Sequence, residues 1–538
     1  MFAKTVDEHE AVFALHEDHR AVCQVELEMP NTHSQWRAYR RDERAWAAQM
    51  LRKSEVRWSA LSAAQKEEFE TAKMLEVDQW LQAEATKAIQ GHVDPQRVVR
   101  MRWVLTWKDS GAAKARIVLI GFEDPDLDTL VSSSPTMCRR TRQLALQFAA
   151  QKGWKCLKAD IKAAFLQGPA SQEARNLFAV PVPELSRAMG LPINQAVQVR
   201  KAAYGLVNAP AEFYKAARDC LLSLGFSPMV TEPCGWVFKV WDSTLNKYVT
   251  QGIITSHVDD FIVCGNEQCP EWNTALHSFY DRFRWSPWEH TAFSHCGIDI
   301  RECQDGSKIL DHSRFCETLE QIPVYADRSD KEEASDKEKS QLPNLSVRIN
   351  CLPGVDVEEE DIIAATTPGM LEGEAAPLSF MSWRSGKLQR VARSSLAAEV
   401  QAFGEGEEEL MYTRLCWAEL CGQTVAPGAF ESALRQVPGV MVTDAKNLYD
   451  VVRKGELNTA GLGLRDKYST LEMLSILERL ERGRTTTRWV NSDAQLADAL
   501  TKPKVSSALH KVLHEQTWTL VYDERFTSAK KVRKGMDA

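Results

Sequence analysis

The stretch SHVDDFIVCG, residues 256–265, sets two adjacent carboxylates, Asp259 and Asp260, between the apolar neighbours Val258 and Phe261. Two neighbouring aspartates repel each other, and burying them calls for a compensating cation. With the residues before it, GIITSHVDDFIVCG reads as strand, two-Asp tip, strand. Asp-Asp at a hairpin tip is also ordinary turn chemistry. The dipeptide alone therefore does not decide its role, and its surroundings must.

Working outward, WKCLKADIKAAFLQG (154–168) reads as a strand that delivers Asp160 at its end and then turns into a helical segment carrying Phe165. VRKAAYGLVNAPAEFYKAARDCLLSLGF (199–226) reads as a strand, a turn at Tyr204–Gly205, and an amphipathic helix entered near Pro210. RVVRMRWVLTWK and KARIVLIGF flank the turn DSGAA as a hairpin, and RRTRQLALQFAAQKG is a helix. Along KARIVLIGF the side chains alternate, so Lys114, Arg116 and Val118 share one face. Between Arg97 and Arg116 six Lys or Arg face a single acid, Asp109, which suits a phosphate-facing element. This order of strands, helices and hairpins predicts an α+β fold, with helices on one face of an antiparallel sheet.

If the strand ending at Asp160 lies beside the hairpin, three carboxylates converge, which divalent cations would make tolerable. Oxygen-only ligation selects Mg2+ or Mn2+. Two such ions can activate an attacking hydroxyl and stabilise a leaving phosphate.

At this point the chain resembles the reverse transcriptases of Copia-type LTR retrotransposons (Pseudoviridae-like elements). Seven blocks stand in that family's order over residues 98–302: RWVLTWK, KARIVLIGF, LKADIKAAFLQG, VRKAAYGLVNAPAEFY, LLSLGF, HVDDFIVCG and CGIDIRE. The resemblance implies a palm and fingers built on a ferredoxin-like antiparallel sheet with helices. It implies that Asp160, Asp259 and Asp260 ligate the polymerase metals, with the Ile161 carbonyl alongside, and that bound metal and nucleotide hold the pair in place. It also makes Lys114 and Arg116 the clasp on the incoming triphosphate. Phe165 becomes the ring that would clash with a ribose 2′-hydroxyl, and Tyr204 and Gly205 the nucleotide-pocket turn. His257 stands where most relatives have an aromatic residue before x-Asp-Asp.

A second resemblance, to the RNase H domain of the same elements, rests on SFMSWRSGKLQRVARSSLAAEVQAF, VPGVMVTDAKNLYDVV and RWVNSDAQLADALTKP. It implies a mixed α/β domain in which Glu399, Asp444 and Asp498 are three of four metal-holding carboxylates. The fourth belongs on a first strand upstream of SWRS; Asp356 has the right offset but sits in the acidic run GVDVEEED.

The expected organisation is a helical region over 1–90, fingers and palm over 91–320, a charged linker in place of a thumb over 321–375, the RNase H-like domain over 376–515 and a basic tail over 516–538. In the first region LSAAQKEEFETAKMLEVDQWLQAEATKAI opens with a capping box, Ser62 to Gln65, and places Phe69, Ala72, Leu75 or Glu76, and Trp80 at helical spacing. In the linker, DRSDKEEASDKEKS has ten charged residues in fourteen. A polymerase without a thumb would grip duplex poorly.

Composition limits the alternatives. The chain has 538 residues, a net charge of −8 and 44% hydrophobic content, ordinary for a globular protein, and no run approaches a membrane span. Acidic residues occupy the place of a signal-peptide core, so an intracellular protein is expected: cytoplasmic, in virus-like particles, or nuclear. Thirteen cysteines without a CxxC pair predict reduced thiols. His290, His295 and Cys296 lack the second ligand pair of a structural metal site. Protease, integrase and nucleocapsid patterns are absent from this stretch, which is expected to be the tail of a polyprotein.

Two readings follow. One is an RNA-directed DNA polymerase with an RNase H-like domain, acting with Mg2+ or Mn2+ on RNA or DNA template–primer, dNTPs and RNA–DNA hybrid, with no membrane partner. The other is an inactive relic that only binds nucleic acid.

Overall fold

The computed structural model describes residues 55–108, 110–314, 358–387, 392, 394–426, 428, 430–454, 467–500 and 507–520, and two short N-terminal strands, β1 (Val12–Leu15) and β2 (Ala21–Gln24). It divides into two compact units, residues 1–137 with 149–320, and 138–148 with 321–538. No described helix is long and apolar enough to cross a membrane.

The first helix, α1 (Ala63–Gln82), opens with the predicted capping box: Ser62 accepts from the Gln65 N–H and the Gln65 side chain accepts from the Ser62 N–H. Its buried face is Phe69, Lys73, Glu76, Val77 and Trp80, so Glu76 is the inward residue and Leu75 the exposed one. Glu76 is tolerated inside because its carboxylate accepts from Trp80 Nε1 and from the Ile117 N–H. The expectation of an all-helical region over 1–90 fails at β1, β2 and β3 (Thr86–Ala88). β3 runs antiparallel to a strand more than a hundred residues away, a pairing that no local propensity announces.

β4 (Val98–Trp107) and β5 (Ala113–Leu119) form the expected hairpin, and α2 (Arg139–Lys152) the expected helix. β6 (Cys156–Asp160) ends on the predicted aspartate. β7 (Phe178–Val180) runs parallel to β4 and antiparallel to β8 (Val197–Val199), and the five strands order as β3-β8-β7-β4-β5.

The larger sheet needs α3 (Ala209–Ser223, with Pro210 in its first turn), β9 (Ser227–Pro228), β10 (Gly235–Asp242), β11 (Lys247–His257), β12 (Asp260–Gly265), α4 (Pro270–Arg282) and β13 (Glu289–His290). Its order is β13-β6-β12-β11-β10-β9, antiparallel throughout. Strand alternation sends Phe261 and Val263 to one face, where they pack with Phe213, Trp236, Ile254, Trp272 and Phe279 under α3 and α4. Gly252 and Gly265, paired across β11 and β12, leave the slot that the Trp272 ring fills. Asp160 and Asp260 therefore fall on the opposite face. A small meander follows: β14 (Ala292–His295), β15 (Ile298–Glu302) and β16 (Lys308–Asp311).

The second unit is mixed α/β. β17 (Glu358–Thr366) and β18 (Ala376–Lys387) pair antiparallel. The interval 321–375 is thus not all linker, because its last part is a strand with a partner; DRSDKEEASDKEKS lies outside the described residues. α5 (Ser395–Leu420) precedes β19 (Gly439–Thr443), α6 (Lys446–Lys454), α7 (Lys467–Gly483) and β20 (Thr485–Trp489), with β19 and β20 parallel. Buried Arg414 on α5 donates to the carbonyls of Leu434, Val437 and Gly483, each at 2.7 Å, and so ties three chain segments together. The expected tail from 516 begins with a strand, β21 (Thr517–Trp518), paired with β18.

Candidate active site

β6 and β12 run in a register that sets Asp160 directly opposite Asp260, and the Ile161 N–H donates to the Asp259 carbonyl at 2.9 Å. The first carboxylate and the pair, ninety-nine residues apart in sequence, thus meet at the end of two neighbouring inner strands. His257 pairs with Asp260 across the hairpin, leaving Val258 and Asp259 as its two-residue tip. Val258 has φ +60°, a left-handed conformation that a β-branched residue seldom adopts and that costs about 1–3 kcal/mol. The tip is therefore held by its pairing, against the preference of its own residue.

The cation that the paired carboxylates demand comes from the chain itself. Lys158 lies two residues before Asp160 and so on the same strand face. Its Nζ is 3.1 Å from Asp160 Oδ2, 3.6 Å from Asp260 Oδ1 and 3.4 Å from Glu289 Oε1, and its side chain is 9% exposed. His295 Nε2, from β14, lies 3.7 Å from Asp260 Oδ2. Burial pushes the Asp260 carboxyl well above the usual carboxylate range; the Asp160 charge adds to the rise, Lys158 opposes it, and Asp259 adds again. Burial by itself would lower the Lys158 ammonium, but Asp260 and Asp160 outweigh it and raise it above the ordinary lysine value. The neighbouring carboxylates thus hold Lys158 charged, while Asp260 rises first from burial and then from the charges beside it.

Does the site fit a divalent cation? Its donors are carboxylate oxygens, which suit Mg2+ or Mn2+. Asp260 Oδ1 is buried and accepts no hydrogen bond among the described residues. Among the described residues no group of three or more His, Cys, Asp or Glu side chains is placed to hold a metal ion.

A second cluster gathers the predicted pocket residues. The Arg116 guanidinium lies 4.9 Å from the centre of the Tyr204 ring, and that ring lies 4.9 Å from Phe165. Leu119 N–H donates to the Tyr204 carbonyl at 2.8 Å, which fixes the turn against β5. Gly205, at φ +95°, has no room for a Cβ, which would lie 1.9 Å from the Leu119 oxygen. Lys114 and Arg116 share the half-buried face of β5, as the alternation predicts. The wider basic stretch is less available than its composition implied: Arg97 pairs with Asp126, Arg100 with Glu123 and Arg102 with Glu55.

In the second unit, Asp444 directly follows β19; its carboxylate accepts from Ser492 Oγ at 2.6 Å and its carbonyl from Trp489 Nε1. Glu399 is exposed on α5, and Asp498 is half-buried in a short 3-10 turn, Ala497–Leu500. These three are not gathered into a metal-holding group among the described residues, and Asp356 lies outside them.

Sequence reasoning missed Lys158, Glu289 and His295 as neighbours of the pair. The period of two along β6 could have flagged Lys158. Nothing local marks Glu289 or His295, which arrive through β13 and β14.

Comparison with known proteins places the first unit among known families. Residues 89–323 match the family model "Reverse transcriptase (RNA-dependent DNA polymerase)". Among curated proteins, the chain is 27% identical over 218 residues to the "Retrovirus-related Pol polyprotein from transposon RE1" of Arabidopsis thaliana, covering 39% of this chain and 14% of that protein. It is 29% identical over 266 residues to the RE2 counterpart of the same plant, covering 46% and 17%. To the transposon TNT 1-94 Pol polyprotein of Nicotiana tabacum it is 26% identical over 181 residues, covering 32% and 13%. The matches thus span less than a fifth of each relative's length. Among solved structures, a foamy viral protease-reverse transcriptase in complex with double-stranded DNA aligns with TM-score 0.41 at 10% identity, over 82% of this chain and 72% of that one. A prototype foamy virus protease-reverse transcriptase mutant aligns with TM-score 0.28 at 12% identity, over 86% and 55%. Taken with the paired aspartates and the Arg116–Tyr204–Phe165 stack, the family match identifies residues 89–323 as a reverse transcriptase region of the kind carried by the Pol polyproteins of Copia-type transposons.

Proposed function

We propose that this chain is an RNA-directed DNA polymerase that joins deoxynucleotides to a primer 3′-hydroxyl on an RNA or DNA template. The observation that carries the reading is the register that sets Asp160 against Asp260 beside the hairpin tip bearing Asp259. These carboxylates would hold Mg2+ or Mn2+, whose charge, when bound, neutralises the triphosphate and eases loss of the hydroxyl proton. The primer oxygen then attacks the α-phosphorus and pyrophosphate leaves. Lys114 and Arg116 hold the triphosphate, the guanidinium through its fork. Gly205 lets the Tyr204 turn pack against β5, which carries Arg116, and Phe165 crowds the sugar so that a 2′-hydroxyl is refused.

The second unit we read as RNase H-like, a fold that cleaves the RNA strand of an RNA–DNA hybrid; the resemblance assigns Glu399, Asp444 and Asp498 to that role, and the structure does not gather the three around one ion among the described residues. Its supports are the element order, with β19 parallel to β20 and Asp444 at the β19 end, and the family's flanking motifs. The work would take place inside the cell, in cytoplasmic particles or the nucleus.

Primer extension on poly(rA)/oligo(dT) with Mg2+ or Mn2+, beside Asp259→Asn, tests the polymerase. Incorporation that the substitution abolishes supports it. Incorporation unchanged by the substitution refutes the site, and a wild-type chain that binds hybrid without extending primer supports the binding relic instead.

A further inference from the structure

Lys158 occupies the place where a cation serving both aspartates has to act. Its ammonium contacts Asp160 on its own strand and Asp260 on the neighbouring strand, at 3.1 and 3.6 Å. A divalent ion on the same oxygens would sit within a few ångströms of that ammonium, where like charges repel strongly. On the other side of β6, Glu289 pairs with Lys158 in the β13 register and offers a third carboxylate at 3.4 Å. The ammonium therefore keeps one carboxylate partner when the aspartates are taken. The stem is almost fully buried, so the head group has little freedom beyond these partners.

We propose that Lys158 is an internal counter-ion of the polymerase carboxylates, which a divalent cation must displace from Asp160 and Asp260, leaving it paired with Glu289, before the site is loaded. In the empty site the ammonium holds Asp160 and Asp260 together across the strands and offsets their repulsion. On loading it gives up Asp160 and Asp260 and keeps the Glu289 contact it already has, so metal affinity is set against the loss of those two ion pairs. Lys158 is thus a positioning residue that lowers the site's affinity for free metal, and binding is favoured when substrate phosphates supply further ligands. This rests on the metal reading given under the proposed function.

Binding of Mn2+ to the full chain without nucleotide, followed by the loss of the free-ion signal in electron paramagnetic resonance, separates the two claims. Lys158→Gln should bind Mn2+ about tenfold more tightly than wild type. Glu289→Gln keeps the ammonium but removes its second partner, so it should bind Mn2+ more weakly. Lys155→Gln removes the same charge from a lysine paired with Glu267 instead, and should change affinity by less than about twofold. Asp260→Asn tests the metal reading itself: if it leaves Mn2+ binding unchanged, that reading fails. If Asp260→Asn abolishes binding while Lys158→Gln leaves it unchanged or weaker, the counter-ion proposal fails alone. Should Lys158→Gln not fold without metal, Glu289→Gln decides, because unchanged or tighter binding there overturns the proposal.

Discussion

Replacing Gly265 with alanine drives a methyl group into the Trp272 ring, since a Cβ there would lie 2.1 Å from Trp272 Cε2. Carbon atoms in contact sit about 3.5–4.0 Å apart, so ring or strand must shift by roughly 1.5 Å. The ring cannot swing away: Trp272 is 2% exposed, with Phe226 and Phe238 packed at 5.8 and 6.0 Å between ring centres. Overpacking of this kind costs about 1–3 kcal/mol, and the rigidity of the ring places Gly265→Ala at the upper end. Trp272→Ala alone leaves a cavity and should cost about 3–5 kcal/mol. In the double variant the new methyl group enters that cavity, so the two losses should fall short of additivity by at least about 1 kcal/mol. Urea denaturation of the four proteins, followed by circular dichroism, measures the cycle. Primer extension should fall with Gly265→Ala, because β12 carries Asp260 at its other end. The reasoning is refuted if Gly265→Ala lies within about 0.5 kcal/mol of wild type, or if the losses simply add.

Other consequences are more direct. Burial raises the Glu76 carboxyl above its ordinary value, against the lowering by the Ile117 N–H, Trp80, Arg116 and Lys114. The group is easier to bury neutral, so its contribution is complete below the unfolded value and is lost as pH rises through the raised folded one. Glu76→Gln should therefore gain stability relative to wild type as pH rises above about 4.5; denaturation midpoints that shift in parallel would contradict this. Phe165→Val should raise ribonucleotide incorporation relative to deoxynucleotide by at least about tenfold in kcat/KM, and an unchanged ratio removes Phe165 from sugar selection. Arg116→Lys keeps the charge but loses the planar stack on Tyr204, so KM for dNTP should rise with little change in kcat. An unchanged KM would detach Arg116 from the nucleotide. Arg414→Leu strips donors from three carbonyls and should destabilise the second unit by at least about 3 kcal/mol in urea denaturation, while a near-neutral result would mean that water replaces them.

Much of the polymerase region was legible because its signals are local. The capping box at Ser62 and Gln65, the alternation along β5, the Gly205 turn and the entry of α3 near Pro210 each depend on residues within a few positions of one another. The ordered blocks then supplied roles for Asp160, Asp259 and Asp260. The N-terminal strands and β17 were missed because a strand is stabilised by a partner that its own sequence does not name. Six cations near β4 read as one basic face, yet three of them meet acids brought by other segments.

The sequence by itself determined which residues could do the chemistry: an Asp at a strand end, an Asp-Asp hairpin, a basic strand face, and an aromatic five positions beyond the first Asp. The strand end, the hairpin and the basic face follow from the period of two and from turn chemistry, which act over a few residues, while the roles of the acids and of Phe165 are what the family resemblance implies. The tertiary structure alone decided what surrounds the acidic pair. Antiparallel pairing of β6 with β12 and β13 brings Lys158, Asp160, Asp260 and Glu289 within reach of one another, and β14 adds His295. Charge compensation falls off with distance in space and is blind to distance along the chain, so the counter-ion of a buried carboxylate is known only once the sheet is assembled.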